Sequence, residues 1–496
     1  MSVLSALAKA TAARTGRAEP IAARRHYHLA DRPLVLVPLR LAGEAAAPLA
    51  VILGSAPEDS TVLLVPQPRD RILRLRFIEQ LADRVLPYIS AFCEDAEELT
   101  VKSTGETYLR YLDAPQLLVP NLGGVQFLRL LGRSVRFHRT EGENAVPESL
   151  PLLGRWLTWF GDRSDFPGSS VCLAMTSVLT VHWASGQSAL EDANLAALLG
   201  WIDPPAGLTG AQAAALAEDP LASPPAGPAT DPGFDNEELA PLIAAYDSAE
   251  HEWAKVIATE RLEQALRGQL EPTWRLMWRA VELLRELPEG ASVDRRWTDD
   301  RSAFSWFVSD IPEGYPQARR DSAVSATRRL LKQEQALDTF QAQRAFDDPR
   351  VLIEYRLVGE AFQGTVTDCE PQRRAKPKSR EVPRPYVWVH TTDPFRGRVG
   401  ETLFRIDRPA QKAEVVAVED DVVQLELVSG MGQGKNPAVG SVPEEGDPIG
   451  FARFSPGGFG GPPAKLPPRE ETPWTHGGPP PGPAAAHQEV WWGVEG

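Results

Sequence analysis

The densest run of chemically capable side chains is Arg373-Arg374-Ala375-Lys376-Pro377-Lys378-Ser379-Arg380. From Pro371 to Lys412 there are eleven bases against four acids. Tyr386, Trp388, Phe395 and Phe404 interleave with them. Basic side chains release counterions from phosphates, and aromatic faces stack on unpaired bases. Arg373, Arg374, Lys376, Lys378, Arg380, Trp388, Arg396 and Arg398 are therefore the candidate contacts to single-stranded nucleic acid. The competing readings are a solvated loop between strands, whose aromatics fill a core, and a surface for an acidic protein partner.

Other constellations fall short of a known chemistry. Gly430-Met431-Gly432-Gln433-Gly434-Lys435-Asn436-Pro437 has the glycines of a phosphate loop, but Gly430 and Gly434 are one residue too close. Asn436 stands where a hydroxyl would bind magnesium, and Pro437 disfavours a helix start. The run reads as a flexible hairpin loop. His26 and His28 share a face if the segment is a strand, yet spacing offers no third metal ligand. They read as a partly exposed strand entrance, and His182 as a structural histidine. Glu419-Asp420-Asp421 and Glu426 suggest nuclease carboxylates without the required lysine, and a turn explains the acidic run better. No Gly-x-Ser-x-Gly elbow is present, and Gly168-Ser169-Ser170 does not supply one. Cys93, Cys172 and Cys369 form no CxxC pair and read as reduced thiols of a cytoplasmic protein. No catalytic residue, metal or cofactor is implied.

Charge is segregated. The chain carries a formal −15, and between Ser164 and Ala254 there are 13 acids and no Lys or Arg. That segment is expected to face solvent or protein, because carboxylates repel phosphate over ~8 Å at physiological salt. No apolar run reaches the ~18–20 residues of a membrane span.

Placing these groups requires elements of an α+β multi-domain chain. Residues 1–30 form an N-terminal arm that reads as a short helix. Residues 31–202 form an α+β domain. Its β-like runs Pro33–Leu41, Pro48–Gly54 and Thr61–Pro66 are spaced for antiparallel neighbours. A helix over Arg69–Leu86 ends at Pro87. Residues 203–233 hold seven prolines among alanines and small polar residues, which predicts an exposed tether. Within it Thr209–Ala217 suits a short capped helix. Residues 234–345 form a helical hairpin or bundle, with Pro272 opening its second helix. Residues 350–454 read as a small β-barrel built from six runs, the first being Val351–Val358. Residues 455–496 form a disordered Pro/Gly-rich tail.

Within the barrel region, Gly397-Arg398-Val399-Gly400, then Val422-Val423-Gln424-Leu425-Glu426-Leu427, then Gly446-Asp447-Pro448-Ile449-Gly450 resemble the small accessory β-barrels that accompany superfamily 1 helicases. The resemblance covers about an eighth of the chain, and the motor motifs are missing. It implies an accessory part of a nucleic-acid-processing or defence assembly, serving a separately encoded helicase or ATPase. A scaffold in a protein-only complex is the alternative. An enzyme of unfamiliar family is the third reading, with His26, His28 and His182 as its leading candidate residues.

Overall fold

In the computed structural model, which describes residues 3–44, 47–100, 105, 107–312, 317, 322–376, 380–432 and 434–459, helices and strands are mixed throughout. The Val/Leu-rich runs of the first half become β1 (Leu34–Arg40), β2 (Pro48–Ala56), β3 (Asp59–Leu64), β4 (Leu117–Val119) and β5 (Cys172–Ala174) of one sheet. Its order is β3-β2-β1-β4-β5. β1, β2 and β3 are antiparallel neighbours, while β1, β4 and β5 run parallel.

Side chains alternate between two cores, as the two-residue period of a strand requires. Val35, Val37 and Leu39 of β1 enter one core, and Leu34 and Leu36 enter the other. Both faces are covered, which is why these runs are continuously apolar.

The helices include α1 (Val3–Thr15), α2 (Arg71–Ser90), α3 (Leu122–Val135), α4 (Ser149–Ser164), α5 (Met175–His182), α6 (Leu195–Ile202), α7 (Gly210–Glu218), α8 (Glu252–Arg285), α9 (Val293–Asp310), α10 (Ala323–Asp347) and α11 (Pro349–Leu357). One face of the sheet carries α2, α3, α4 and the Trp297–Phe304 side of α9. The opposite face carries α5, α6, α7 and α8.

The fold departs from several expectations. The helical region is not a separate bundle: Leu262, Leu266, Leu270, Trp274, Met277, Trp278, Val281 and Leu284 of α8 pack on the sheet. Pro272 lies inside α8 rather than at a helix start. An interior proline costs ~3 kcal/mol, but each large side chain buried along the stripe contributes ~1.5–3 kcal/mol. The unbroken stripe therefore wins. Pro87 likewise lies within α2. The segment 203–233 is no tether. Ala213, Ala214, Ala217, Ala226 and Thr230 are buried. Thr209 and Gln212 close a capping box on α7. Arg40 N–H donates to the Pro228 carbonyl at 2.7 Å, and Thr230 N–H donates to the Arg40 carbonyl at 3.1 Å. Alanines are small enough to pack closely, and the end of β1 satisfies the backbone that a free linker would leave to water.

The N-terminal arm is equally embedded. Glu19–Pro20 pairs with Trp183–Ala184, and Ala22, His26 and Leu29 are buried.

After α11 the chain forms β6 (Ala361–Glu370), β7 (Tyr386–His390), β8 (Thr402–Arg405), β9 (Lys412–Glu419), β10 (Val422–Leu427) and β11 (Pro448–Ala452). These close in the order β6-β7-β10-β9-β8-β11 with every neighbour antiparallel. Phe362, Val387, Val389, Leu403, Val415, Leu425 and Phe451 fill the interior. Val351–Val358, expected as a strand, is mostly α11. Asp348 caps the Arg350 N–H, and Pro349 opens the helix, which overrides the β-propensity of a short apolar run. A second small core, including Ala345, Leu352, Ala361 and Phe454, seats the barrel on α10 and α11. The expected disordered tail falls almost entirely on residues 460–496, outside the described residues.

Candidate anion-binding cleft on the barrel

The connection from β6 to β7 folds back as a two-residue pairing of Arg374–Ala375 with Val382–Pro383. The connection from β10 to β11 carries the Gly-rich run. Gly430 has φ 78°, and a Cβ there would stand 2.4 Å from the Gln411 Cα, so only glycine fits. Gln411 is fully buried and donates to the Ser441 carbonyl at 2.7 Å, which pins the far side of the loop. Arg374 Nη1 ties the two connections together by donating to the Lys435 carbonyl at 2.6 Å.

A cleft of about 360 Å³ opens between them, lined by Arg374, Arg380, Glu381, Arg384, Lys435 and glycines of the run. Arg373 stands behind it. Its Nη1 donates to Glu426 Oε2 at 2.6 Å and its Nη2 to the Tyr386 hydroxyl at 2.7 Å. Glu426 is thereby committed. Arg384 lies 3.7 Å from the other Glu426 oxygen, beyond hydrogen-bond reach. Its Nε and Nη1 are buried without a hydrogen-bond partner. Buried donors left without a hydrogen bond cost free energy, and the Glu426 carboxylate offsets part of that cost for Arg384 through its charge.

The structure gathers only part of the expected set. Arg374 and Arg380 line the cleft, and Arg373 supports it. Lys376 is exposed just beyond the hairpin, and Lys378 lies outside the described residues. Trp388 is on the outer barrel face, half-buried, edge-on to Tyr386 at 5.8 Å. It is paired with Asp368 on one neighbouring strand and Gln424 on the other, so one flank is acidic. Arg396 and Arg398 are exposed on the loop that leaves the far end of β7. Arg396 N–H donates to the Gly359 carbonyl there, and the strand separates that loop from the cleft. Phe395 packs on Phe362 at 4.9 Å and belongs to the core. Sequence reasoning missed Arg384 and Lys435. Their signal was present in the basic count and the Gly-rich run, but nothing in spacing says that the two connections meet.

His26, His28, His182, the paired serines and the acidic turn are each tied into the fold by their neighbours. His26 and His182 are fully buried and stack at 5.4 Å, which corrects the exposed strand entrance. His182 Nε2 accepts the His26 backbone N–H at 3.1 Å, so the ring is neutral with its proton on Nδ1, facing the Val178 carbonyl at 2.8 Å. Burial pushes its pKa down to about 3. His28 stacks on Trp297 at 4.1 Å. Burial opposes ionisation of Asp348, but the His26 ring 3.4 Å away and hydrogen bonds from the Ala23, Arg350 and Arg24 N–H groups outweigh it and hold the carboxyl at about 2. Ser169 Oγ donates to Asp300, and Ser170 Oγ accepts the His28 N–H. Asp420 occupies a left-handed turn position, φ 47°, between β9 and β10. Among the described residues no group of three or more His, Cys, Asp or Glu is placed to hold a metal ion, and no helix is long and apolar enough to cross a membrane.

Comparison with known proteins finds no counterpart: no family model, no curated protein and no solved structure matches the chain.

Proposed function

We propose that the protein is a non-catalytic accessory component that holds a nucleic-acid backbone in the barrel cleft. The observation that carries this reading is the convergence of Arg374, Arg380, Arg384 and Lys435 on one cleft whose lining includes a single carboxylate, Glu381. Guanidinium groups suit phosphate because they present donors in a planar fork. The resemblance of the barrel to helicase-associated accessory modules supports the same reading and suggests a separately encoded helicase or ATPase as partner.

The test is anisotropy of the full chain with a labelled single-stranded oligonucleotide over a range of salt. Changing Arg374, Arg380, Arg384 and Lys435 to Ala should weaken binding and flatten the log–log salt slope by ~0.7 for each phosphate no longer neutralised. Changing Arg396 and Arg398 should change it far less. A folded protein that ignores oligonucleotides at low salt would leave the scaffold reading in front.

A further inference from the structure

A second site lies on the sheet, far from the basic residues of the barrel in sequence. β4 and β5 are parallel neighbours, paired from Leu117 with Cys172 to Val119 with Ala174. The segments that follow them leave in opposite directions. After β4 the chain enters α3, whose Val125, Leu128 and Leu131 join the core on one face. After β5 it enters α5, whose Met175, Val178 and Leu179 join the core on the other. Where adjacent parallel strands diverge this way, a crevice opens beyond their carboxyl ends, and such crevices take ligands. A cavity of about 530 Å³ stands at this place, within the size range of small-molecule sites.

Its walls are apolar and its end is polar. Ile21, Leu122, Trp183 and Pro228 give it an apolar body, and Thr176, Ser177 and Lys9 bring the polar groups. Leu122 and Gly123 open α3, and Thr176 and Ser177 lie in the first turn of α5. Both helices therefore turn their positive ends toward the cavity. Asn121 caps α3 by accepting the Gly124 N–H at 3.1 Å, and its Nδ2 ties the wall to the Ala193 and Gly227 carbonyls. No side chain caps α5. Thr176 N–H goes to the Pro120 carbonyl at 3.0 Å. The Lys9 ammonium stands at the mouth, 3.4 Å from Asp192 Oδ2 and 3.0 Å from the Gln187 carbonyl. Asp192 also lines the cavity, and its charge is balanced by Lys9, while Ser185 Oγ at 2.5 Å and Gln187 Nε2 at 3.1 Å fix its other oxygen, so the positive end of α5 is what favours an anion.

We infer that this crevice binds a small organic anion: an apolar body between Trp183 and Pro228, with a carboxylate or phosphate at the start of α5 and near Lys9. Carboxylate and phosphate share the recognising chemistry, and probes separate them. Calorimetric titration of the full chain with phenylacetate, with phenyl phosphate and with neutral benzyl alcohol is the experiment. At least one anion should bind in the millimolar range or tighter, and the stronger of the two names the headgroup. Benzyl alcohol should bind at least tenfold more weakly. Ser177→Asp places a carboxylate where the anion would sit, at a helix position that favours Asp, and should weaken binding at least tenfold with the circular dichroism unchanged. Lys9→Met should weaken it severalfold. Anion affinity unchanged in Ser177→Asp, benzyl alcohol bound as tightly as the anions, or no heat from either anion would overturn the inference. The barrel variants should leave this binding untouched, so the two readings fail separately.

Discussion

At the residue scale, His182 makes the most direct prediction about pH. Its folded pKa of about 3 lies below the ordinary 6.5, so between those values the unfolded chain binds the proton and the native one does not. Stability therefore rises with pH across this window and is lost on acidification, by up to ~1.4 kcal/mol per pH unit for one such group. Asp348, held at about 2 against an ordinary 3.8, adds a loss in the same direction below about pH 4. Denaturant titration between pH 7 and pH 4 should show the slope. His182→Leu should flatten it, and should cost ~1–3 kcal/mol at pH 7 by orphaning the His26 N–H. An unchanged slope would mean that the imidazole is not buried in neutral form. The basic residue types were legible in the sequence, but their partners were not. Arg373 meets Glu426 across 53 positions, and Arg384 became conspicuous only once Arg373 had occupied that carboxylate.

At the element scale, Gly430 decides the shape of the cleft. Gly430→Ala should push the Gly-rich loop off Gln411, lower the melting temperature and weaken oligonucleotide binding more than Arg398→Ala does. Equal binding in the two variants would show that loop position does not matter. The apolar runs of β1, β2, β7, β9 and β10 were legible because strands read as Val/Leu clusters between turn residues. α11 was misread because a nine-residue helix leaves too few turns for periodicity to show. Its real signal was the Asp348-Pro349 cap. Pro272 and Pro87 misled for the opposite reason: a local rule was applied where burial of the surrounding stripe outweighs it.

At the scale of the whole molecule, the boundaries read from composition around 203–233 and 234–345 do not divide the structure. The helical segment 234–345 contributes to both covers of the sheet, α8 to one and α9 to the other, so that fragment expressed alone should lack a cooperative unfolding transition and expose α8. A sharp thermal transition for it would contradict the layered packing. Composition could not reveal this, since alanine-rich and proline-rich segments look alike whether they pack or stay free. Embedding the N-terminal arm also bears on synthesis. Ala23 and Arg24 donate to Asp348, 325 and 324 positions later, and Arg350 reaches back to the Pro20 carbonyl across 330. A ribosome adding ~5–20 residues per second needs on the order of 16–65 s to cover such a distance. Through that interval the first thirty residues lack these late contacts, while their pairing with Trp183–Ala184 comes earlier. The nascent chain thus carries an unfinished surface around Tyr27, whose partner Phe340 comes as late, and this is the period in which a chaperone would hold it.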